Sequence, residues 1–155
     1  VMSNELTTPK ILDCPSDERI AHTNFNMNYN NVTANAYLAN GYFSYALGKD
    51  ASDTQPAMVL TADRNIYGSY NTTTLPTTFP NSGYGNGPNT GLAMGTNFAA
   101  NVQVPTWTDK MHQRQGNVGL ADGSVQQHSS PKLREQFRTS GDTATAAQAN
   151  IILFP

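Results

Sequence analysis

The chain has 155 residues, nine of them Lys or Arg, and a formal net charge of −2. This length is that of one domain, and the charge excludes the basic surface by which many proteins bind nucleic acids. Charged residues make up only 13% of the chain, whereas 17 Asn and 18 Thr supply much of its polarity, a bias common in secreted and cell-surface domains. The single cysteine, Cys14, excludes an internal disulfide, and the apolar runs are too short for a transmembrane helix.

The first 40 residues are rich in Asn, which interrupts any apolar period. Within them, residues 9–17 are predicted to form a short extended segment closed by a turn. Pro15 disfavours helical backbone at Cys14, and Ser16 and Asp17 can accept the N–H groups of a turn or of a short helix start.

Two strands are predicted next, over residues 41–47 and 57–62. The first alternates aromatic and small residues, the second is apolar and β-branched, and the polar residues 48–56 between them indicate a hairpin with a long loop. Residues 71–95 are rich in Thr, Pro, Gly and Asn, which predicts a long loop without regular structure. A further strand is expected around Trp107, within residues 102–110.

Asp122-Gly123 carries the strongest local signal, because it separates two short segments of strand-like sequence, residues 117–121 and 124–128. A two-residue Asp-Gly loop is typical of a hairpin with a type I′ turn, in which both central residues have positive φ. This turn predicts a register with Leu120 opposite Val125.

A helix with both ends marked follows this hairpin. Ser130 is a plausible N-cap and Pro131 occupies the first helical position. Leu133 and Phe137 form an apolar stripe with a spacing of one helical turn, and Gly141 is a suitable stop.

Residues 150–154 read as a last short strand. Together the elements predict a single α+β domain over residues 1–155, with an antiparallel sheet of about four to five strands, one short C-terminal helix and long irregular loops.

The residue types that nucleophilic catalysis uses are present as Cys14, His22, His112 and His128. None of them stands in a recognised local catalytic motif. The sequence therefore favours Cys14 as a small buried residue, since free cysteines are usually buried.

A calcium site is a second, weaker hypothesis. Calcium prefers carboxylate oxygens from loops, and four aspartates fall at predicted turns or strand ends: Asp13, Asp17, Asp63 and Asp122. The other interpretation is that these aspartates form turns. His112 has two interpretations as well: an ion pair with Asp122, or a ring that bonds backbone near the base of the hairpin.

Three motifs in chain order carry a family resemblance. His112 is followed after nine residues by Asp122-Gly123, the segment Cys14-Pro15-Ser16-Asp17 lies upstream, and Ala62-Asp63-Arg64-Asn65 lies between. This pattern resembles the His-x9-Asp-Gly signature of bacterial prepilin-type, processing-associated proteins, which are pseudopilins of the type II secretion and type IV pilin class. The residues that match the family motifs are Cys14, Pro15, Ser16, Asp17, His112, Asn117, Asp122 and Gly123.

The resemblance implies a pilin-like head that serves as a structural, non-catalytic subunit without a cofactor. Such precursors begin with a basic leader and a long hydrophobic helix, which are not in this sequence. Because the chain opens with Val1, we expect it to be excised from a longer precursor. Ser124 follows Gly123 where many relatives have His, so a role of that His does not carry over.

The resemblance also implies where the protein works and with what. The precursor would be anchored in the bacterial inner membrane by the missing helix alone, and its leader would be cleaved and the new terminus methylated. Its partners would be other pseudopilin or pilin subunits and the secretion machinery, with the head in the periplasm or at the cell surface.

Two other classes of function remain open. A secreted carbohydrate- or ligand-binding module would need an aromatic platform, for which Tyr67, Tyr70, Tyr84 and Trp107 are the candidates. A hydrolase would depend on Cys14 and His112.

Overall fold

The computed structural model describes residues 6–21, 42–88, 91–98 and 104–155. His22, most of the Asn-rich segment, the first residue of the predicted strand 41–47 and the first two residues of the predicted strand 102–110 lie outside this part of the chain. In it, the elements are the strands β1 (Tyr45–Gly48), β2 (Val59–Asp63), β3 (Ile66–Tyr67), β4 (Leu92–Ala93), β5 (Thr106–Trp107), β6 (Gln115–Leu120), β7 (Val125–Ser129) and β8 (Ile151–Leu153), the helix α1 (Ser130–Arg138), and short 3-10 helices over Pro9–Leu12 and Asn81–Gly83.

The strands form two antiparallel sheets. Six of them hydrogen-bond in the order β4-β8-β1-β2-β6-β7, and β3 pairs with β5 in a separate two-stranded sheet. The predicted α+β class with antiparallel strands is confirmed. The eight strands of the described residues exceed the predicted four to five, because strands of two residues such as β3 and β4 leave no readable pattern.

The predicted hairpin of β1 and β2 is confirmed, with Ala46 opposite Ala62. β1 begins only at Tyr45. Within it Ala46 is buried and Leu47 points to solvent, and Ser44, just before the strand, is buried as well. β2 continues one residue past its predicted end, so that Asp63 is the last residue of the strand.

The hairpin of β6 and β7 forms, but the predicted type I′ turn and register are wrong. Gly119 pairs with Val125, and Leu120 donates its N–H to the carbonyl of Ser124, which leaves three residues in the loop. Only Gly123 has positive φ, +84°, as in a type I turn followed by a left-handed glycine. The shift of one residue turns Val125 to the solvent and His128 into the interior.

Two further predictions need correction. Residues 9–17 are not extended throughout, because Pro9–Leu12 form a 3-10 helix, although the turn that follows is confirmed by the hydrogen bond from the Asp17 N–H to the carbonyl of Cys14. Residues 71–95 contain regular structure, since β4 lies there and hydrogen-bonds β8.

Helix α1 is confirmed, and its stripe of Leu133 and Phe137 is fully buried. Its N-cap is Ser129, one residue before the predicted cap. Ser130 instead uses its hydroxyl oxygen to accept the N–H of Trp107 at 2.9 Å, which fastens the helix start to β5.

The core lies between one face of the large sheet, helix α1 and the small sheet. Its buried members are Ala46, Val59, Ala62, Ile66, Met94, Trp107, Val118, Leu120, Leu133, Phe137, Ile152 and Phe154. Gly116 allows the indole of Trp107 to lie directly on β6, since a Cβ there would approach the ring to 2.4 Å. The opposite face of the sheet carries a cross-strand row, called the outer row below, of Leu153, Leu47, Thr61, Gly119 and Val125.

Candidate functional site

A buried polar cluster surrounds the end of β2, where Asp63, Arg64 and Asn65 follow one another in the interior. We call it the β2-end cluster. It consists of these three residues together with Cys14, Asp17, Tyr84, His112 and Asn117. Four segments that are distant in sequence, around residues 14–17, 63–65, 84 and 112–117, therefore meet at one strand end.

Asp63 lies at the centre of the cluster with its side chain almost fully buried. Its Oδ2 accepts the backbone N–H of Asn117 at 2.6 Å and the side-chain amide of Asn117 at 3.2 Å, and it lies 3.3 Å from Nε2 of His112. Its Oδ1 has no hydrogen-bond partner among the described residues. Burial raises the pKa of Asp63, against the opposing effects of the Asn117 hydrogen bonds and of His112.

His112 is positioned by a tight loop between β5 and β6. Asn65 fixes this loop, because its side-chain amide donates to the carbonyls of Lys110 and Gln115 at 2.8 and 3.1 Å. Met111, Gln113 and Arg114 on either side of His112 all have positive φ, which is sterically unfavourable for residues with a Cβ. The loop therefore stores backbone strain at the point where it presents His112.

Cys14 also contacts His112, because its Sγ lies 3.5 Å from Nε2 of the imidazole ring. The predicted burial of Cys14 is confirmed, since the residue is 6% exposed. Burial raises the pKa of the thiol, and the negative charges of Asp63, Asp17 and Asp13 add to this effect. Cys14 is thus held as a thiol and lacks the low pKa of reactive cysteines.

The contacts of Cys14, His112 and Asp63 differ from those of a catalytic triad. In a triad the nucleophile bonds one ring nitrogen of the histidine and the carboxylate bonds the other, so that the carboxylate orients the base. Here both Cys14 and Asp63 approach the same nitrogen, Nε2. The arrangement therefore brings three metal-ligating atoms towards one point. It does not place His112 between Cys14 and Asp63, as proton transfer from the thiol would require.

A buried ion pair fills the other half of the cluster. Arg64 donates from Nε and Nη2 to the two oxygens of Asp17 at 2.7 and 2.6 Å, with both side chains nearly inaccessible. Burial alone would raise the pKa of Asp17, but the hydrogen bonds and charge of Arg64 outweigh it and hold that pKa below its usual range. The guanidinium also stacks on Tyr84, 3.5 Å from the ring centroid.

Of the residues that match the family motifs, Cys14, Asp17, His112 and Asn117 belong to the β2-end cluster, and Pro15 and Ser16 form the exposed turn between the first two. Asp122 and Gly123 lie elsewhere, in the loop after the opposite end of β6. Asp122 there accepts the N–H of Ser124 at 2.8 Å.

The predicted alternatives for His112 are both wrong, because its side chain pairs with Asp63 and not with Asp122 or with backbone. The four aspartates proposed for calcium do not surround one point, since Asp122 is separated from Asp63 by most of the length of β6. Asp13 accepts a hydrogen bond from Ser44 at 3.3 Å.

The aromatic platform does not form as predicted. Trp107 and Tyr84 are buried, and Tyr67 packs against Phe79 with ring centroids 5.3 Å apart. Tyr70 is 40% exposed and borders a depression of about 280 Å³ that is also lined by Thr72, Asn97 and Phe98.

Sequence reasoning assigned no role to Asn65, which bonds the loop around His112, or to Arg19, whose backbone N–H donates to Oδ1 of Asp17. Arg19 donates to the carbonyls of Phe43 and Pro155, and burial followed by the charge of Arg64 lowers its pKa to about 10. The run Asp63-Arg64-Asn65 directly after an apolar strand was the available signal. A sequence does not reveal, however, that such a run is buried.

Comparison of the chain with protein-family models, with curated proteins and with solved structures gives no match in any of the three. No helix in the described part of the chain has the length and hydrophobicity that crossing a bilayer requires.

Proposed function

We propose that this chain is the head of a pilin-like structural subunit of the pseudopilin class, which assembles into a periplasmic pseudopilus or a pilus. Its role is to present a stable surface on a filament, and it has no catalytic function. The observation that carries the proposal is the meeting of Cys14, Asp17, His112 and Asn117 at the end of β2. Residues matching separate motifs of the resemblance thus contact a common strand end.

These contacts favour a structural role for the motif residues. Cys14 is a buried thiol, and Asp17 is consumed by its two hydrogen bonds with Arg64. Asn117 donates both of its hydrogen bonds to Asp63. These contacts fix the segment around residue 14 and the loop around residue 112 onto the sheet. They leave few hydrogen-bonding groups of the motif residues available to bind a substrate.

The outer row gives this head a surface for contacts with neighbours. Leu47 and Val125 are 55% and 72% exposed, and they flank Thr61 and Gly119 on the face of the sheet opposite the core. Leu153 lies directly opposite Leu47, and contiguous apolar surface of this kind marks interaction sites. We therefore assign this face to contacts with other subunits.

The proposal includes a location and partners. The precursor is anchored in the bacterial inner membrane by a hydrophobic N-terminal helix, and the head is periplasmic or on the cell surface. The partners are other pseudopilin or pilin subunits and the secretion machinery.

The test places a charge on the outer row in the bacterium that encodes the protein. Val125→Glu is expected to reduce the protein recovered in sheared filaments by roughly tenfold, which corresponds to about 1.4 kcal/mol of lost contact energy. The melting temperature of the purified head stays unchanged, because Val125 is exposed. Leu75→Glu, at an exposed apolar residue outside the sheet, is the matched control and assembles normally. Absence of the wild-type protein from filaments, or normal assembly of both variants, contradicts the proposal.

A second candidate, binding of a carbohydrate, is favoured by one observation. Tyr70 offers an exposed ring beside the hydroxyl and amide groups of Thr72 and Asn97, a combination that suits a sugar ring. Glycan binding that is lost in Tyr70→Ala would support this candidate. Trp107→Ala is no test of it, since that side chain belongs to the core.

A further inference from the structure

We propose that Cys14 Sγ, His112 Nε2 and the carboxylate of Asp63 form a binding site for a zinc ion. This inference does not rest on the proposed function. The three ligand atoms lie within 4.8 Å of one another. They come from three segments that are distant in the chain.

Two of the three spacings between the ligand atoms match a tetrahedral zinc site. Zinc binds sulfur at about 2.3 Å and nitrogen or oxygen at about 2.0–2.1 Å, so tetrahedral ligands lie about 3.3–3.6 Å apart. The distance from Nε2 of His112 to Sγ of Cys14 is 3.5 Å, and to Oδ2 of Asp63 it is 3.3 Å. Nε2 of His112 faces both Cys14 and Asp63. This geometry is unfavourable for a catalytic triad, but all three ligands need to face a common point if they bind one ion.

The surroundings of Asp63 supply an independent indication. The carboxylate is oriented by two hydrogen bonds from Asn117, the type of support that metal ligands usually receive from a second layer of residues. These hydrogen bonds go to Oδ2, the oxygen 3.3 Å from His112, whereas Oδ1 of the same carboxylate is buried without a hydrogen-bond partner among the described residues. A buried oxygen of this kind costs free energy unless a proton donor or a cation satisfies it.

Charge and access also suit a cation. Asp13, Asp17 and Asp63 surround the thiol with negative charge, of which Arg64 neutralises one through Asp17. The side chain of His112 is 21% exposed, so this ligand is in contact with solvent.

The ligand types favour zinc over calcium and magnesium. A thiolate, an imidazole and a carboxylate together suit Zn²⁺, whereas calcium and magnesium take oxygen ligands almost exclusively. On binding, the Cys14 thiol releases its proton to solvent, and bonds form from Sγ, Nε2 and a carboxylate oxygen to the ion. Zinc would thereby join the segment around residue 14, β2 and the loop before β6.

The experiment uses the purified protein after treatment with a chelator and dialysis. Titration with ZnCl₂ is expected to show one ion per chain with a Kd of about 1 µM or lower and a rise in melting temperature. Titration with CoCl₂ is expected to give a thiolate-to-cobalt charge-transfer band and the visible spectrum of a tetrahedral ion.

The variants assign the ligands. Cys14→Ser is expected to remove the charge-transfer band, and Asp63→Asn and His112→Gln to weaken zinc binding by at least about tenfold, as removal of even a supporting group does. Asp122→Asn, at an exposed aspartate outside the cluster, is the matched control and binds like the wild type.

Two results overturn the proposal, and both come from the wild-type protein, so they do not depend on whether a variant folds. One is the absence of saturable zinc binding, which would leave Asp63 and His112 as an ion pair only. The other is a cobalt spectrum without a thiolate band.

Discussion

His128 is a buried side chain whose ring nitrogens have no hydrogen-bond partner among the described residues. It lies in β7 opposite Gly116, at the position that the observed register turns inward. Burial, with a smaller effect from the charge of Lys132, lowers its pKa to about 4. The folded protein therefore keeps this imidazole neutral at pH values where the unfolded chain protonates it.

This difference makes stability depend on pH. A histidine with a pKa of about 6.5 in the unfolded chain binds a proton there first, so the free energy of unfolding falls as the pH drops from about 6.5 towards 4. The full effect, reached below pH 4, is roughly 3–4 kcal/mol, since each pKa unit corresponds to about 1.36 kcal/mol. Urea unfolding of the wild type and of His128→Leu, measured between pH 8 and pH 4.5, checks it.

We expect the wild type to lose stability relative to His128→Leu as the pH falls below about 6.5. The difference between the two proteins at pH 8, where the histidine is neutral in both states, is the baseline. Parallel profiles over the whole range would show that His128 is not kept neutral by the fold.

The burial of single residues was predictable where it depends on residue type or on local spacing. Burial of Cys14 followed from the usual preference of free cysteines, and burial of Leu133 and Phe137 followed from their helical spacing. The partner of His112 was not predictable, because Asp63 lies 49 positions away in sequence and only the folded sheet brings them together.

At the scale of elements, the hairpin of β6 and β7 shows the limit of a local rule. Asp122-Gly123 does mark the turn, but the same dipeptide fits a two-residue and a three-residue loop. The observed register places Val125 on the outer row and His128 in the interior, the opposite of what the apolar pattern of β7 indicates. One residue of difference exchanges the faces of the strand.

The connection between the segment around residue 14 and the end of β2 depends on the pair of Asp17 and Arg64. Removal of one partner from a buried pair leaves an uncompensated charge, which costs about 3–5 kcal/mol. Arg64→Leu is therefore expected to reduce the free energy of unfolding by about this amount in a urea titration. Arg64→Lys keeps the charge, loses the double hydrogen bond and costs less.

Arg114→Leu is the matched control for this prediction. Arg114 pairs with Asp109 on the surface, where both side chains are more than half exposed, and such pairs contribute about 0–1 kcal/mol. Equal losses in Arg64→Leu and Arg114→Leu would contradict the structural role that we assign to the β2-end cluster.

For the whole molecule, the sequence was sufficient for the class of fold. The strands β1, β2, β6, β7 and β8 and the helix α1 have patterns of four or more residues or clear ends. The small sheet of β3 and β5 and the edge strand β4 contain two residues each, so their pairing depends on long-range contacts that no local pattern encodes. The β2-end cluster was visible only as three separate motifs.

The proposal that this chain is the head of a subunit processed like a prepilin can be tested by the mass of the mature protein in the cells that encode it. We expect the mature chain to begin with an N-methylated residue followed by an apolar helix, and deletion of the prepilin peptidase to leave the longer, unmethylated precursor in the membrane. An unchanged mass in the deletion strain would contradict it.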